Sequence, residues 1–223
     1  TKGLINVAIV VDGDTVQIKE NQSPGAEFSI SLVLTNGLHV LKVICLNSGG
    51  EGGAASIKTF TGEDMPQIPT EVTAVAEESG KVTLSWTLPE AGINGGWVNL
   101  TKVSYDILRN GESLSTDIKE TTYIDNLPEN ELKSYKYTVI VKFGGEECGS
   151  VESNSVVFGK AVSLPYEQTF EDASSFDLLN IIDNNGDGVT WQFDTGQFSA
   201  GYTFSADNAA DDYLVLPKMT FKA

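Results

Sequence analysis

The fold of this chain is decided by a stretch that begins Ile68-Pro-Thr-Glu-Val-Thr-Ala-Val75 and continues through Lys81-Val-Thr-Leu-Ser-Trp86. It ends in Tyr135-Lys-Tyr-Thr-Val-Ile-Val141 and Asn154-Ser-Val-Val-Phe158. In each run apolar residues alternate with polar ones, and turn residues separate the runs. A period of two is typical of half-buried strands, and its repetition predicts a β-sandwich.

The residues before this stretch are also patterned as strands, and nothing in them indicates a helix. The turn pairs Asp12-Gly13 and Asn36-Gly37 separate apolar runs, and residues 47–55 are predicted to be a glycine-rich loop. The predicted strands are Ile5–Val11, Thr15–Lys19, Glu27–Leu34, His39–Leu46 and Ser56–Phe60.

The chain contains an internal repeat. Val43–Glu51 aligns with Val139–Glu146 if one gap is allowed, and Val7–Gly13 aligns with Ser104–Gly111. The period of about 90–95 residues fits a seven-stranded sandwich. The first copy lacks a match to Val72–Trp86, so we expect it to be incomplete by two strands at its N-terminal side.

Residues 67–160 resemble a fibronectin type III domain. The resemblance rests on Pro69, Trp86, the segment Tyr105–Gly111, and Thr122–Pro128 leading into Tyr135. It implies that Trp86 lies in the core and that Tyr135 lies at the corner before the penultimate strand. Residues 1–66 are then a second fibronectin type III-like domain, N-terminally incomplete. His39 falls at the position of Tyr135, which favours a structural role for the histidine.

Residues 161–223 differ in sequence pattern from the rest of the chain. Three segments, Leu164–Asp172, Asp183–Trp191 and Asp211–Pro217, resemble the N-terminal part of the cleaved-adhesin domain. This domain occurs in gingipain haemagglutinin regions and in related secreted proteins of Bacteroidetes. That family is a MAM-like jelly-roll sandwich, so the resemblance implies the N-terminal part of a jelly roll. The expected fold class is all-β, as tandem β-sandwiches: two fibronectin type III-like domains and then a partial jelly roll.

Charge and composition exclude several functions. The chain has 31 acidic and 14 basic residues and a net charge of −17, which repels nucleic acid and anionic membrane surfaces. No run approaches the about 18 apolar residues of a membrane helix, so we expect no membrane insertion. A single histidine leaves no histidine cluster for zinc and no separate base for a catalytic triad. Cys45 and Cys148, assigned to different domains, are expected to be unpaired.

The last third of the chain carries the candidate metal ligands. Asp183, Asn185 and Asp187 alternate before Gly188, and Asp194 stands at the twelfth position, as in a calcium loop. The residues around Val189–Phe193 indicate a strand, so this is no EF-hand. The cleaved-adhesin resemblance implies a rival or second structural calcium site, formed by Glu171, Asp172, Asp211 and Asp212. Alternatively, the Asp and Asn residues at 183–188 serve only to make tight turns.

These observations predict a non-enzymatic, extracellular or cell-surface region of an adhesin-type protein. Its role would be binding or the spacing of modules, and its partner would be an extracellular protein or a glycan. The alternative is an accessory region of a secreted peptidase or glycoside hydrolase whose catalytic domain lies outside this chain. Trp191 and Tyr202 are candidate sugar platforms. Trp97, in the insert Glu90–Asn99, is either a platform or a packing residue.

Overall fold

A computed structural model describes residues 3–202 and 211–221 of the chain. It is nearly all β, with 53% strand and 3% helix, so the all-β prediction is confirmed.

The first strands are β1 (Ile5–Val11), β2 (Asp14–Gln22), β3 (Gly37–Asn47) and β4 (Gly50–Thr61). The next are β5 (Val72–Ala76), β6 (Lys81–Trp86), β7 (Val103–Arg109), β8 (Glu112–Ile118), β9 (Thr122–Asn126), β10 (Lys133–Tyr135), β11 (Tyr137–Phe143), β12 (Glu146–Glu152) and β13 (Val156–Phe158). The last elements are β14 (Val162–Ser163), α1 (Ala173–Phe176), β15 (Asn180–Asp183), β16 (Gln192–Asp194), β17 (Ser199–Gly201), β18 (Asp212–Val215) and β19 (Met219–Thr220).

The chain divides into two compact units. The first consists of Thr1–Ile68, Pro89–Val103 and Lys142–Cys148, and the second of Pro69–Leu88, Ser104–Val141 and Gly149–Ala223. This division by spatial contact is no test of the division by sequence into residues 1–66, 67–160 and 161–223, which stays a prediction.

The first unit is built on one antiparallel sheet in the order β2-β1-β3-β4. The β1–β2 turn consists of Asp12 and Gly13, both in the left-handed region with φ of 53° and 98°. Such a two-residue turn matches the twist of the strands that it joins. The central strand β1 is buried along Val7–Val11, because its apolar side chains contribute to both faces of the sheet.

Two details of the first unit differ from the sequence prediction. Glu27–Leu34 alternates as a strand does, yet it belongs to no strand of the described chain. Residues 47–55 are not a loop, because β4 begins at Gly50 and pairs with β3 through Asn47↔Gly50 and Leu46↔Glu51. The glycines there lie in one strand of a hairpin. From the sequence alone, a cluster of glycines predicts a loop, because glycine in a strand interior is uncommon.

The second unit contains a sandwich of a three-stranded sheet, β5-β6-β9, and a four-stranded sheet, β12-β11-β7-β8. Trp86 on β6 meets Tyr105 on β7 edge to face, with ring centroids 5.2 Å apart. Trp86 is 7% exposed and Tyr105 is fully buried, so the predicted core tryptophan is confirmed. Each large apolar side chain buried here contributes about 1.5–3 kcal/mol to folding.

The residues after 160 form short elements. They form three two-stranded sheets in the described residues. β14–β19 is parallel, and β15–β18 and β16–β17 are antiparallel. Phe176 of α1 is buried between Phe170 and Phe193, with ring centroids 6.4 and 6.0 Å away. The partial jelly roll stays a prediction. No helix in residues 3–202 and 211–221 is long and apolar enough to cross a membrane.

Candidate functional site

The predicted calcium loop follows β15 and is closed by the carboxylate of Asp183. Its Oδ1 accepts the backbone N–H groups of Gly186 at 2.7 Å and Asp187 at 3.2 Å, and its Oδ2 accepts that of Gly188 at 2.8 Å. A carboxylate that caps its own loop in this way satisfies the backbone donors of a tight turn. Both oxygens retain lone pairs, so capping does not prevent a further ligand.

The other two members of the loop bind one another. Asp187 Oδ1 accepts the backbone N–H of Val189 at 2.8 Å, and its Oδ2 accepts the side-chain amide of Asn185 at 3.1 Å. The carboxylate oxygens of Asp183 and Asp187 thus accept hydrogen bonds from within the turn.

Asp211 and Asp212 lie beside this loop because β15 pairs with β18. Asp183 stands opposite Asp212 in the register, and the Asn184 side-chain amide donates to Asp211 Oδ2 at 2.6 Å. Both carboxylate oxygens of Asp212 are buried and have no hydrogen-bond partner among the described residues. Leaving a buried carboxylate unpaired costs free energy, so this position fits a cation.

An aromatic pocket adjoins these carboxylates. The Trp191 and Tyr202 rings lie 5.7 Å apart, and a cavity of about 350 Å³ is lined by these two residues and Asp211, Asp212 and Tyr213. Burial, together with the nearby carboxylates of Asp212, Asp187 and Asp183, raises the pKa of Tyr202 to about 12. The Tyr202 hydroxyl lies near Asp212 without a well-formed hydrogen bond to it. The tyrosine stays protonated at neutral pH and can serve as a donor.

The remaining predicted ligands lie in separate turns. Asp194 accepts the N–H groups of Gly196 and Gln197 at 2.8 and 3.2 Å. Asp172 caps α1 through the N–H of Ser175 at 2.9 Å, and its hydrogen bonds with Ser174 and Ser175 lower its pKa. Glu171 is exposed. Within residues 3–202 and 211–221, no three His, Cys, Asp or Glu side chains are grouped so as to hold a metal ion.

The glycine-rich insert Glu90–Asn99, which belongs to the first unit, encloses a buried carboxylate that the sequence analysis did not identify. Asp64 is 2% exposed and accepts hydrogen bonds from the backbone and side chain of Asn94 at 2.8 and 3.0 Å, from Gly96 N at 3.1 Å and from Met65 N at 2.9 Å. A Cβ on Gly92 or Gly96 would lie 2.2 or 2.9 Å from Asp64 atoms. The available signal was an acid just ahead of Pro66 and a glycine-rich insert 30 residues later.

The insert also binds the chain on either side of Asp64. Asp64 N donates to Trp97 O at 2.8 Å, and Ile93 N donates to Met65 O at 2.9 Å. The Lys102 ammonium lies 2.5 Å from a Glu63 oxygen and lowers the Glu63 pKa. Trp97 thus binds Asp64 through its backbone carbonyl, while the residue as a whole stays 63% exposed. Its ring remains available as a contact surface.

The single histidine is held in a structural arrangement. His39 is 7% exposed; its Nδ1 lies 2.6 Å from Asp12 Oδ2 and its Nε2 lies 2.9 Å from Thr35 O. The hydrogen bond with Asp12 raises the His39 pKa, and Thr35 adds to the effect. Both ring nitrogens are engaged, so the imidazole is poorly placed to act as a base or a metal ligand.

Comparisons with known proteins give a limited result. No family model matches the chain, and no curated protein matches it. Among solved structures it is similar to the crystal structure of chicken CNTN1 FN1–FN3 domains, at 15% identity and a TM-score of 0.32. The match covers 72% of this chain and 57% of that one, so the chain spans little more than half of that relative's length. So low a score does not establish a shared fold.

Proposed function

We propose that this chain is a non-catalytic, modular region of a secreted or cell-surface protein of the adhesin type, which binds an extracellular protein or glycan or spaces other modules. The observation that carries this is the succession of two sheets of the same strand order, β2-β1-β3-β4 and β8-β7-β11-β12. Serial copies of one scaffold are typical of chains that display loops and set distances. The engagement of His39 with Asp12 and Thr35 is consistent with a structural role for the only histidine.

A binding screen tests this role directly. The purified chain is immobilised and probed with extracellular-matrix proteins and a glycan array, and it is assayed for peptidase and glycosidase activity. We expect saturable binding and no turnover. Hydrolysis by the purified chain would overturn the proposal. Binding that requires an attached hydrolase domain would support the accessory-region alternative instead.

We also propose that calcium stabilises the C-terminal residues, with Asp212 and Asp183 as the principal ligands. The support is the pair of buried Asp212 oxygens, which have no hydrogen-bond partner within residues 3–202 and 211–221 and lie opposite Asp183 in the β15–β18 ladder. Calcium takes six to eight oxygen ligands, so waters and further chain oxygens would complete the shell. A ligand that binds only the folded state at 100 times its Kd stabilises it by about 2.7 kcal/mol.

Thermal melting with and without chelator tests the calcium proposal. We expect calcium to raise the melting temperature of the chain and of the control Asp194→Asn, but not that of Asp212→Asn. Asp194 is the matched control because its carboxylate binds its own turn. Equal melting curves in calcium and in chelator, with no bound metal by elemental analysis, would overturn it.

The pocket between Trp191 and Tyr202 favours a glycan as the ligand class. Aromatic faces beside hydrogen-bonding carboxylates are suited to sugar rings, whose apolar faces stack while their hydroxyls donate. Trp191→Ala should abolish glycan binding and leave binding to protein ligands intact. Unchanged glycan binding in that variant would exclude this pocket.

A further inference from the structure

The aromatic walls of the pocket beside Asp212 are positioned by strand register. The β16–β17 ladder has Gln192 opposite Gly201 at one end, and Trp191 and Tyr202 are the next residues beyond it. Their rings therefore meet, with centroids 5.7 Å apart and planes inclined at 57°. The Trp191 indole N–H donates to the Asp212 backbone oxygen at 3.5 Å, which holds the indole against β18.

The acidic wall of this pocket has acceptors but no cation that balances them. Both Asp212 carboxylate oxygens are buried without a hydrogen-bond partner among the described residues. Asp212 stands opposite Asp183 in the β15–β18 pair, and like charges in this position repel one another. In residues 3–202 and 211–221, no lysine or arginine forms an ion pair with Asp183, Asp187, Asp211 or Asp212. The pocket therefore adjoins uncompensated negative charge.

The tyrosines of the pocket respond to the same charge. Burial and the nearby Asp212 raise the pKa of Tyr202, and interaction with the Asp211 carboxylate raises the pKa of Tyr213. Residues 161–223 as a whole contain ten acidic and two basic residues. The negative potential thus belongs to the region as well as to one carboxylate, and it favours a cationic ligand.

The charge of the ligand follows from what the buried carboxylate needs. A neutral sugar hydroxyl donates a hydrogen bond to Asp212, but it leaves a buried charge without a counter-ion, which is costly. An acidic sugar is repelled. An ammonium group donates hydrogen bonds and also balances the charge, and the electron-rich face of Trp191 attracts it further.

The size and walls of the pocket favour a sugar ring as the carrier of that ammonium. The volume of about 350 Å³ lies at the lower end of the range of about 300–1,000 Å³ typical of ligand pockets. Two inclined aromatic faces match a ring that lies against them. A lysine side chain carries the same charge, but it has no ring to cover the faces of Trp191 and Tyr202.

We propose that this pocket binds an amino sugar whose amine is not acetylated. The sugar ring stacks on Trp191, and its ammonium pairs with the Asp212 carboxylate. The assignment rests on the glycan binding proposed above for the same pocket, and it adds the charge of the ligand. Calcium and the sugar ammonium are then alternative cations for Asp212, so calcium should weaken the binding of the amino sugar.

The test compares two oligosaccharides that differ only in acetylation. The full chain is titrated calorimetrically, in chelator and at about pH 6, below the pKa of ordinary amines. The probes are a short oligomer of β-1,4-linked glucosamine and the same oligomer fully N-acetylated. We expect the free-amine oligomer to bind at least about tenfold more tightly, because a hydrogen bond to a charged group contributes that much. Added calcium should reduce this difference.

Two variants separate the pocket from general attraction between charges. Asp212→Asn and Asp194→Asn each remove one carboxylate, so the attraction of a cation to a chain of net charge −17 falls alike in both. We expect Asp212→Asn to lose the preference for the free amine and Asp194→Asn to keep it. In chelator, Asp212→Asn should melt no lower than the parent chain, because it removes a buried charge that no described residue balances.

Each way of failing gives a distinct result. Equal affinity of the parent chain for the two oligomers would overturn the assigned charge and leave glycan binding intact. Binding of neither oligomer, together with a glycan array without hits, would overturn glycan binding as well. Equal losses in Asp212→Asn and Asp194→Asn would show general attraction only. Tighter binding of a short lysine peptide than of the glucosamine oligomer would make a protein the ligand and overturn the amino-sugar assignment, as would stronger binding of the amino sugar in calcium.

Discussion

The Tyr137 hydroxyl donates a 2.8 Å hydrogen bond to Asp125 Oδ2, and this contact joins the two sheets of the sandwich. Asp125 lies on β9 and Tyr137 on β11, and the Arg109 guanidinium donates to the same oxygen from β7 at 2.9 Å. Burial, followed by the hydrogen bond to Asp125, raises the Tyr137 pKa far above its usual value. The tyrosine hydroxyl therefore stays protonated and donates its hydrogen bond. The Asp125 carboxylate accepts hydrogen bonds from two strands of the opposite sheet, β7 and β11.

Removing Asp125 should destabilise the sandwich strongly. Asp125→Ala leaves the Arg109 charge and the buried Tyr137 hydroxyl unpaired, and breaking a buried pair of this kind costs about 3–5 kcal/mol. Tyr137→Phe removes one donor only and should cost about 1–3 kcal/mol. Urea unfolding at neutral pH measures both. Glu77→Gln, which breaks the exposed pair with Lys81, is the control and should change little; an equal loss in all three variants would refute this account.

Asp64 should be the position of the first unit at which substitution lowers stability most. Asp64→Ala leaves the donors of Asn94, Gly96 and Met65 without their acceptor in a buried site, and we expect a loss on the order of 3 kcal/mol. Hydrogen exchange should rise in residues 90–97. A neighbouring exposed acid, Glu90→Ala, serves as the control. Unchanged exchange in the insert of the Asp64 variant would contradict the role given to this carboxylate.

The contribution of Asp64 should also depend on pH. Burial opposes its ionisation, but the hydrogen bonds from Asn94, Gly96 and Met65 outweigh it, so its pKa lies below the usual value. A carboxyl group of lowered pKa stabilises the fold above its unfolded pKa of about 3.9 and loses that contribution as pH falls through the folded value. The difference in stability between the parent chain and Asp64→Asn should therefore shrink below about pH 4. A constant difference from pH 7 to pH 2 would argue against it.

His39 should titrate above its usual value. Asp12 accepts from the imidazolium and raises the His39 pKa, so the pair stabilises the fold below the unfolded histidine pKa of about 6.5 and loses that contribution as pH rises through the folded value. Because the chain has one histidine, its ring protons can be followed by proton NMR without assignment. Asp12→Asn should bring the midpoint down. A midpoint that is the same in both proteins would show that Asp12 has no such effect.

Cys148 should react slowly with thiol reagents at neutral pH. It lies in β12 and is half-buried, and burial, followed by the charge of Glu147, raises its pKa. Both cysteines are free, as the sequence predicted. Because the thiolate is the reactive form, alkylation should accelerate as pH rises to 9 and above. The variant Cys148→Ser isolates the signal of Cys45; fast reaction of Cys148 at pH 7 would be inconsistent with the raised pKa.

The sequence by itself determined the strands and turns whose cause is local. Alternating apolar residues placed β5, β6 and β11, because a half-buried strand needs a period of two. Asp12-Gly13 marked a hairpin, because the turn needs left-handed backbone conformations that Gly and Asp adopt most readily. The role of Trp86 as a core residue and the presence of free cysteines were also within reach of the sequence.

The tertiary structure decided everything that depends on a partner distant in the chain. Glu27–Leu34 has the pattern of a strand, but a ladder requires a second strand, and only the fold shows that the described chain supplies none. Asp64 and Asp125 look like ordinary surface acids until folding brings donors from 30 and 16 residues away to their carboxylates. Likewise, Asp183–Gly188 is patterned as a calcium loop, but the sequence does not show that the Asp183 carboxylate accepts hydrogen bonds from its own backbone. Nor does it show that the Asp212 carboxylate is buried with no partner among the described residues, because both outcomes depend on three-dimensional packing.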